Sequence, residues 1–149
     1  MYLIENVIPH RAPMILLDEL VSFDQQTAVC RVAICSDSPF FDQERQLVPN
    51  HVGIEYMAQS IAAYAGAHEK DQGHQIQVGF LLGSRKYRSF CDGFAKGMEL
   101  TIKVTLLYQE ESGLSVFDCQ ILQRDRLLAE AKVNTFQPKD SASYIQQSQ

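Results

Sequence analysis

The sequence has little positive charge, no long apolar run and no paired cysteine motif. Its 149 residues include 13 Lys and Arg against 18 Asp and Glu, for a formal net charge of -5, whereas nucleic-acid binding requires a basic face. No apolar stretch approaches the roughly 20 residues that span a bilayer, and the first residues lack the basic and apolar segments of a signal peptide. We therefore expect a soluble, cytoplasmic protein that binds neither nucleic acid nor membrane.

The cysteine spacing indicates neither a zinc site nor a redox pair, because no two cysteines form a C-x-x-C motif. All four lie in or beside apolar stretches, where a free cysteine behaves as a small hydrophobic residue. A chain of this length can also bury enough surface to fold without a metal or a disulfide. We expect buried structural thiols, no metal and no cofactor. The four are Cys30, Cys35, Cys91 and Cys119.

Apolar periodicity predicts strands on both sides of one helix. Residues 27–34 and 99–106 alternate apolar and polar side chains, the period of two that is typical of a strand. The short run at 14–20 fits either a strand or a helical turn, and 36–50 is predicted to be a loop. Further strands are predicted at 76–88, 114–122 and 127–136.

The segment 52–69 contains no proline, and its apolar residues cover every side of a helical wheel. A helix that is apolar all round is buried all round. Asn50 is the predicted N-cap and Gly73 follows the predicted end. One buried helix with a long antiparallel meander predicts an α+β domain over residues 1–138. The polar residues 139–149 are predicted to form a flexible tail.

Four segments resemble motifs of the 3-hydroxyacyl-carrier-protein dehydratases. They are PHRAPMILLD at 9–18, EYMAQ at 55–59, GSRKYR at 83–88 and LAEA at 128–131. The resemblance extends over residues 3–137 and is strongest to a divergent branch associated with aryl-polyene-type fatty-acid gene clusters. It implies a hot-dog fold, in which an antiparallel sheet wraps around one long buried helix. It also implies dehydration of 3-hydroxyacyl thioesters on an acyl carrier protein.

The sequence departs from these dehydratases at one catalytic position. They carry a histidine in a G-H-F-P segment about fourteen residues before the helix glutamate. Here residues 38–42 read SPFFD, with Phe41 at the expected offset. The resemblance therefore implies a catalytic role for Glu55 and leaves its partner unassigned.

Glu55 is the one carboxylate within an otherwise apolar part of the predicted helix. We expect burial to keep this carboxyl protonated, so that it serves as a general acid. The alternative is a glutamate that only stabilises the start of the helix. His51 is a candidate base because it precedes Glu55 by four residues, which places both on one face of a continuous helix. His51 could equally be a surface residue at the helix entrance. His10 is the rival candidate, although the Pro-His-Arg motif that contains it is mainly structural in the dehydratases that the sequence resembles.

Other residues are predicted to contact the substrate. Gly53 would allow the thioester oxygen to approach the backbone N–H groups at the start of the helix. Gln59 could orient the Glu55 carboxyl group or satisfy a buried backbone group. A compact basic cluster could bind the phosphate of a pantetheine arm or an acidic carrier protein, or could form a solvated strand edge. This cluster consists of Arg85, Lys86 and Arg88.

Three functions are compatible with these residues: a dehydratase, a hot-dog thioesterase, and a non-catalytic acyl-binding subunit paired with an active dehydratase. The expected partner in each case is an acyl carrier protein or a CoA thioester. Because one sheet around one helix leaves an unpaired edge, we expect a homodimer that joins edge to edge. A larger oligomer or a heteromer with another dehydratase is the alternative.

Overall fold

The computed structural model describes residues 2–76 and 80–136, so the predicted tail at 139–149 lies outside the described residues. In the described part, eight strands accompany one α-helix. The strands are β1 Glu19–Phe23, β2 Thr27–Ala33, β3 Leu47–Pro49, β4 Phe80–Ser89, β5 Gly93–Ala95, β6 Glu99–Gln109, β7 Leu114–Gln123 and β8 Arg126–Phe136, and the helix is α1 Gly53–Asp71.

Six strands form one antiparallel sheet in the order β1-β2-β6-β7-β8-β4, and α1 contacts every one of them. The predicted α+β arrangement is therefore confirmed. The prediction of a plain loop over 36–50 is wrong at its end, because β3 pairs with β5 in a separate two-stranded sheet. The ambiguous run at 14–20 is neither a full strand nor a helical turn, since β1 begins only at Glu19.

The apolar residues that alternate along β6 are buried, as predicted. Leu100, Ile102 and Val104 are fully buried against the helix side of the sheet, and each buried side chain contributes roughly 1.5–3 kcal/mol. Cys30 is buried in β2, as predicted, and Cys119 is buried in β7. The prediction of burial is wrong for Cys35, which is exposed beyond the end of β2, while Cys91 is half-buried.

Local hydrogen bonds fix the two ends of α1 differently. Asn50 is not the N-cap: it begins a 3-10 turn over Asn50–Val52, and its side-chain N–H donates to the Cys91 carbonyl at 3.1 Å. The helix ends at Asp71, two residues later than predicted, and Gly73 follows its end as predicted. Gly73 has φ +76°, and the N–H groups of Gly73 and His74 donate to the carbonyls of Lys70 and Glu69 at 3.0 and 2.8 Å, which satisfies the last turn.

The sides of α1 differ in burial. The side facing the sheet and the N-terminal segment is buried, and it includes Tyr56, Gln59 and Ala63. The opposite side carries a stripe of small and aliphatic residues that is only half-buried, so the prediction of burial all round is wrong for the single chain. A single curved sheet cannot enclose a helix completely. We call this the open stripe: Ile54, Ala58, Ala62 and Ala65.

Within the described residues, no helix has the length and apolar character needed to cross a membrane.

Candidate active site

His10 and Glu55 meet where the N-terminal segment crosses the first turn of α1. The Nε2 atom of His10 lies 3.8 Å from the Oε1 atom of Glu55, although the two residues are 45 positions apart in the chain. Their side chains are 30% and 42% exposed. The pair is therefore close enough to act on one small molecule and accessible to it from solvent.

The environment of Glu55 differs from the sequence-based expectation. Its helix neighbours Tyr56 and Met57 are fully buried, but Glu55 lies beside the open stripe, and its side chain remains partly in water. The prediction that Glu55 is buried is thus wrong for the single chain. Its carboxyl group is available to accept a proton or a hydrogen bond.

His10 is held in a turn that its neighbour closes. The Nη1 group of Arg11 donates to the carbonyls of Ile8, Pro9 and His10 at 3.3, 3.4 and 2.8 Å. The N–H of Met14 donates to the Arg11 carbonyl at 2.8 Å. All three contacts come from the single Nη1 group, whose two N–H bonds are shared among three consecutive carbonyls, with the shortest contact to His10.

The two ring nitrogens of His10 have different surroundings. Nε2 points toward Glu55, whereas Nδ1 is buried and has no hydrogen-bond partner within residues 2–76 and 80–136. A buried N–H without an acceptor is rarer in proteins than an unpaired acceptor. The neutral imidazole is therefore more stable with its proton on Nε2, as a donor directed at Glu55.

Gln59 lies one helical turn beyond Glu55 and is fully buried. Its Oε1 atom accepts from the N–H of Leu16 at 2.9 Å, and its Nε2 group donates to the carbonyl of Met14 at 2.8 Å. Of the two roles considered from sequence, the structure therefore shows the satisfaction of buried backbone groups.

His51 does not lie in α1, contrary to the prediction from its four-residue spacing to Glu55. It is exposed and belongs to the 3-10 turn before α1, not to the helix itself. The four-residue relation to Glu55 assumed a continuous α-helix, so that premise is wrong. His10, which the spacing argument did not favour, is the histidine that contacts Glu55.

Gly53 begins α1 in a confined position. A Cβ atom there would lie 2.3 Å from the Tyr87 hydroxyl oxygen and 3.0 Å from Ile121. The Tyr87 hydroxyl donates to the Asn50 carbonyl at 2.5 Å. Burial, with a smaller contribution from Cys91, raises the pKa of Tyr87 to about 12. The space beside Gly53 is thus filled by Tyr87, a residue that sequence reasoning included only within the GSRKYR segment.

The basic cluster of β4 is partly neutralised. Arg88 lies 3.7 Å from Glu130 on the neighbouring strand and packs over the ring of Phe90 at 5.6 Å. Lys86 is exposed at a bulge with φ +56°. The side chain of Arg85 lies outside the described part of the structure. In the single chain these contacts fit a solvated strand edge, which was one of the two interpretations of the cluster.

Residues 38–42, at the position of the G-H-F-P motif, contain no histidine that could contact His10 or Glu55. Phe41 packs against the hydrophobic core, and Phe40 is exposed with φ +67°. A bulky residue in the left-handed region is uncommon. Residues 38–42 therefore supply apolar surface and no histidine at the position of this motif.

The sheet wraps around one helix and Glu55 lies in the first helical turn, as the sequence resemblance implied. A family model described as "ApeP-like: ApeP dehydratase" matches residues 2–146, and the chain belongs to this family. It is 31% identical to a chain of the solved "Dehydratase Heterocomplex ApeI:P from Xenorhabdus doucetiae", covering 95% of this chain and 94% of that one, with a TM-score of 0.87.

Curated relatives agree with this assignment. The 3-hydroxyacyl-[acyl-carrier-protein] dehydratase FabZ of Dichelobacter nodosus is 25% identical over 140 residues, which cover 87% of this chain and 90% of that protein. The Escherichia coli PaaI protein, at 17% identity and a TM-score of 0.61 over 78% of this chain and 80% of its own, shares the fold. The predicted hot-dog fold and the predicted dehydratase family are both confirmed.

Proposed function

We propose that this chain dehydrates 3-hydroxyacyl thioesters carried by an acyl carrier protein, with Glu55 and His10 as its acid–base pair. The observation that carries the proposal is the 3.8 Å separation of His10 Nε2 and Glu55 Oε1 in an accessible position. The substrate class is supported by the FabZ relatives, which are 3-hydroxyacyl-[acyl-carrier-protein] dehydratases. A cytoplasmic location is supported by four free thiols, which persist in reducing compartments.

The reaction needs two proton transfers at adjacent carbon atoms. A base removes the proton from the α-carbon, the C–H electrons form the Cα=Cβ bond, and the β-hydroxyl leaves as water after an acid protonates it. Each positioned group contributes about 10²–10⁴-fold. Two groups as close as His10 and Glu55 can reach substituents on neighbouring carbons.

The surroundings of the pair support a division of roles. To protonate the leaving hydroxyl from Nε2, His10 enters the reaction as an imidazolium, because a neutral imidazole is far too weak an acid to donate this proton. Glu55 is partly exposed and faces that donor, so its carboxylate is the base for the α-proton. This assignment reverses the role of general acid that burial would have given Glu55.

The test is a comparison of kcat for Glu55→Gln, His10→Ala and His51→Ala, with 3-hydroxyacyl thioesters on carrier protein and on CoA. We expect losses of about 10²–10⁴-fold for the first two variants and activity near that of the wild type for His51→Ala. Loss with His51→Ala but not with His10→Ala would transfer the histidine role to His51. Hydrolysis of the thioester without enoyl formation would identify a thioesterase.

We propose further that β4 and the open stripe are covered by a second dehydratase chain. β4 lies at one end of the sheet order, and its ten residues make it the longer of the two edge strands. Exposed edges are usually paired or protected. The solved relative is described as a dehydratase heterocomplex, which favours a heteromer over a homodimer.

Light scattering of the chain alone and co-expressed with a second dehydratase tests this pairing. A stable two-chain assembly is expected in the co-expressed sample, with higher activity than the chain alone. A monomer at micromolar concentration under both conditions would contradict it. If all three site variants keep wild-type turnover in the assembly, the chain is a binding subunit and the partner supplies the chemistry.

A further inference from the structure

The side chain of Gln59 connects α1 to a distant part of the chain. Its amide forms two hydrogen bonds, with the N–H of Leu16 at 2.9 Å and the carbonyl of Met14 at 2.8 Å. These partners precede it by 43 and 45 residues. They lie in the segment that follows His10, which connects the N-terminal turn to β1.

A second contact joins the same segment to α1 before His10. A Cβ atom on Gly66 would lie 1.7 Å from the Val7 carbonyl oxygen, so the backbone at Val7 rests directly on the helix. Gly66 follows Gln59 by seven residues, or roughly 10 Å along the axis. The segment from Val7 to Leu16 is therefore attached to α1 on both sides of His10.

Between these attachments the backbone has little freedom. The Arg11 guanidinium holds the carbonyls of residues 8–10, and the bond from the Met14 N–H to the Arg11 carbonyl closes the turn. The bonds of Gln59 come immediately after this turn. The position of the His10 ring relative to Glu55 thus depends on Gln59, which lies one helical turn beyond Glu55.

The two bonds require an amide of this length. An apolar side chain would leave a buried N–H and a buried carbonyl without partners. Glutamate could accept from the Leu16 N–H, but its second oxygen would face the Met14 carbonyl without a donor. Asparagine is shorter by one methylene group.

We propose that Gln59 is a positioning residue: its buried amide fixes the segment that carries His10 and thereby sets the distance between His10 and Glu55. The kinetic part of this inference rests on the proposed function. Gln59 itself has no free polar group for the substrate, since both ends of its amide bind the backbone.

A double-mutant cycle in the co-expressed assembly tests the proposal through kcat. Gln59→Glu, which keeps the bond to Leu16, is expected to lower kcat by about 10²-fold, the cost of a displacement of roughly 1 Å at a reacting group. In the His10→Ala background the same substitution is expected to change kcat by less than about twofold, because the group that it positions is already absent. Equal losses in both backgrounds would overturn the proposal.

Ser60→Ala is the matched control. Ser60 is the next residue and is also fully buried, but its hydroxyl donates to the Tyr56 carbonyl within α1. It is expected to keep kcat within about twofold of the wild type. A loss equal to that of Gln59→Glu would mean that any buried polar change here impairs the enzyme, which would also overturn the proposal.

A second measurement does not depend on turnover. In the ¹⁵N-labelled full chain, Glu55→Gln is expected to shift the imidazole nitrogen signals of His10, because the two side chains are in contact. The shift should disappear in the Gln59→Glu background, and in Gln59→Met if the glutamate variant fails to fold. An equal shift in either folded background refutes the positioning role, whereas loss of the shift in a chain without dehydratase activity refutes only the proposed function.

Discussion

The two sides of α1 differ in how completely this chain buries them. The buried side packs against all six strands of the sheet and against the N-terminal segment, and its polar residue Gln59 has both hydrogen bonds satisfied within the chain. The open stripe is only half-buried, and Glu55 lies beside it. The difference indicates that one chain completes its own core, while the Glu55 carboxylate lies on the side that the chain leaves accessible.

The strongest test of the buried side is Gly66→Ala. The added methyl group would overlap the Val7 carbonyl, so the N-terminal segment must move off the helix, at a cost of about 3 kcal/mol or more in the free energy of unfolding. Chemical denaturation measures this loss. The control is Ala65→Ser, one residue away in the open stripe, which should stay within about 0.5 kcal/mol of the wild type. Similar stability of the two variants would remove the distinction between the two sides.

The complementary test places a charge in the open stripe. Ala62→Glu should leave the isolated chain folded, with a loss of about 1 kcal/mol in the free energy of unfolding, because Ala62 packs against the core but is only half-buried. It should abolish assembly with the proposed partner dehydratase, because an unpaired charge would be buried at the contact. Light scattering of the co-expressed chains measures this effect. Gln72→Glu adds the same charge at an exposed position and should assemble normally; unchanged assembly of Ala62→Glu would show that the stripe is not covered.

A smaller effect is expected where Tyr87 meets the start of α1. Tyr87→Phe removes the hydroxyl that binds the Asn50 carbonyl and should lower the free energy of unfolding by about 0.5–1.5 kcal/mol. The exposed Tyr108 provides the control, Tyr108→Phe, which should have little effect. If both variants lose the same stability, the hydrogen bond at Asn50 contributes nothing specific.

The change in stability at alkaline pH gives a second test of the Tyr87 hydrogen bond. The pKa of Tyr87 is raised to about 12 in the folded chain, against about 10 for an ordinary tyrosine. The folded state therefore retains this proton more strongly than the unfolded state, so the stabilisation is complete below pH 10 and is lost as the pH rises towards 12. Tyr87→Phe should show a shallower loss of stability over this range in denaturant titrations, and an unchanged slope would contradict the raised pKa.

Local patterns in the sequence accounted for much of the secondary structure. The alternation of Leu100, Ile102 and Val104 predicted β6 and its buried face, and the apolar segment ending near Gly73 predicted α1. Both are short-range properties, since they depend on residues two to four positions apart. The pairing of β3 with β5 was not predictable in this way, because its two strands are short and lie more than 40 residues apart.

The candidate site shows the same contrast between short-range patterns and long-range contacts. The sequence by itself determined the hot-dog family, the long helix and Glu55 as its candidate catalytic carboxylate, because these depend on local periodicity and on short motifs that resemble known dehydratases. Only the tertiary structure decided that His10, and not His51, contacts Glu55, that Gln59 binds the N-terminal segment, and that Glu55 is partly exposed. The physical reason is that the contacts of His10 and Gln59 join residues more than 40 positions apart, and they depend on how the N-terminal segment crosses α1. The exposure of Glu55 depends on how completely the sheet covers α1.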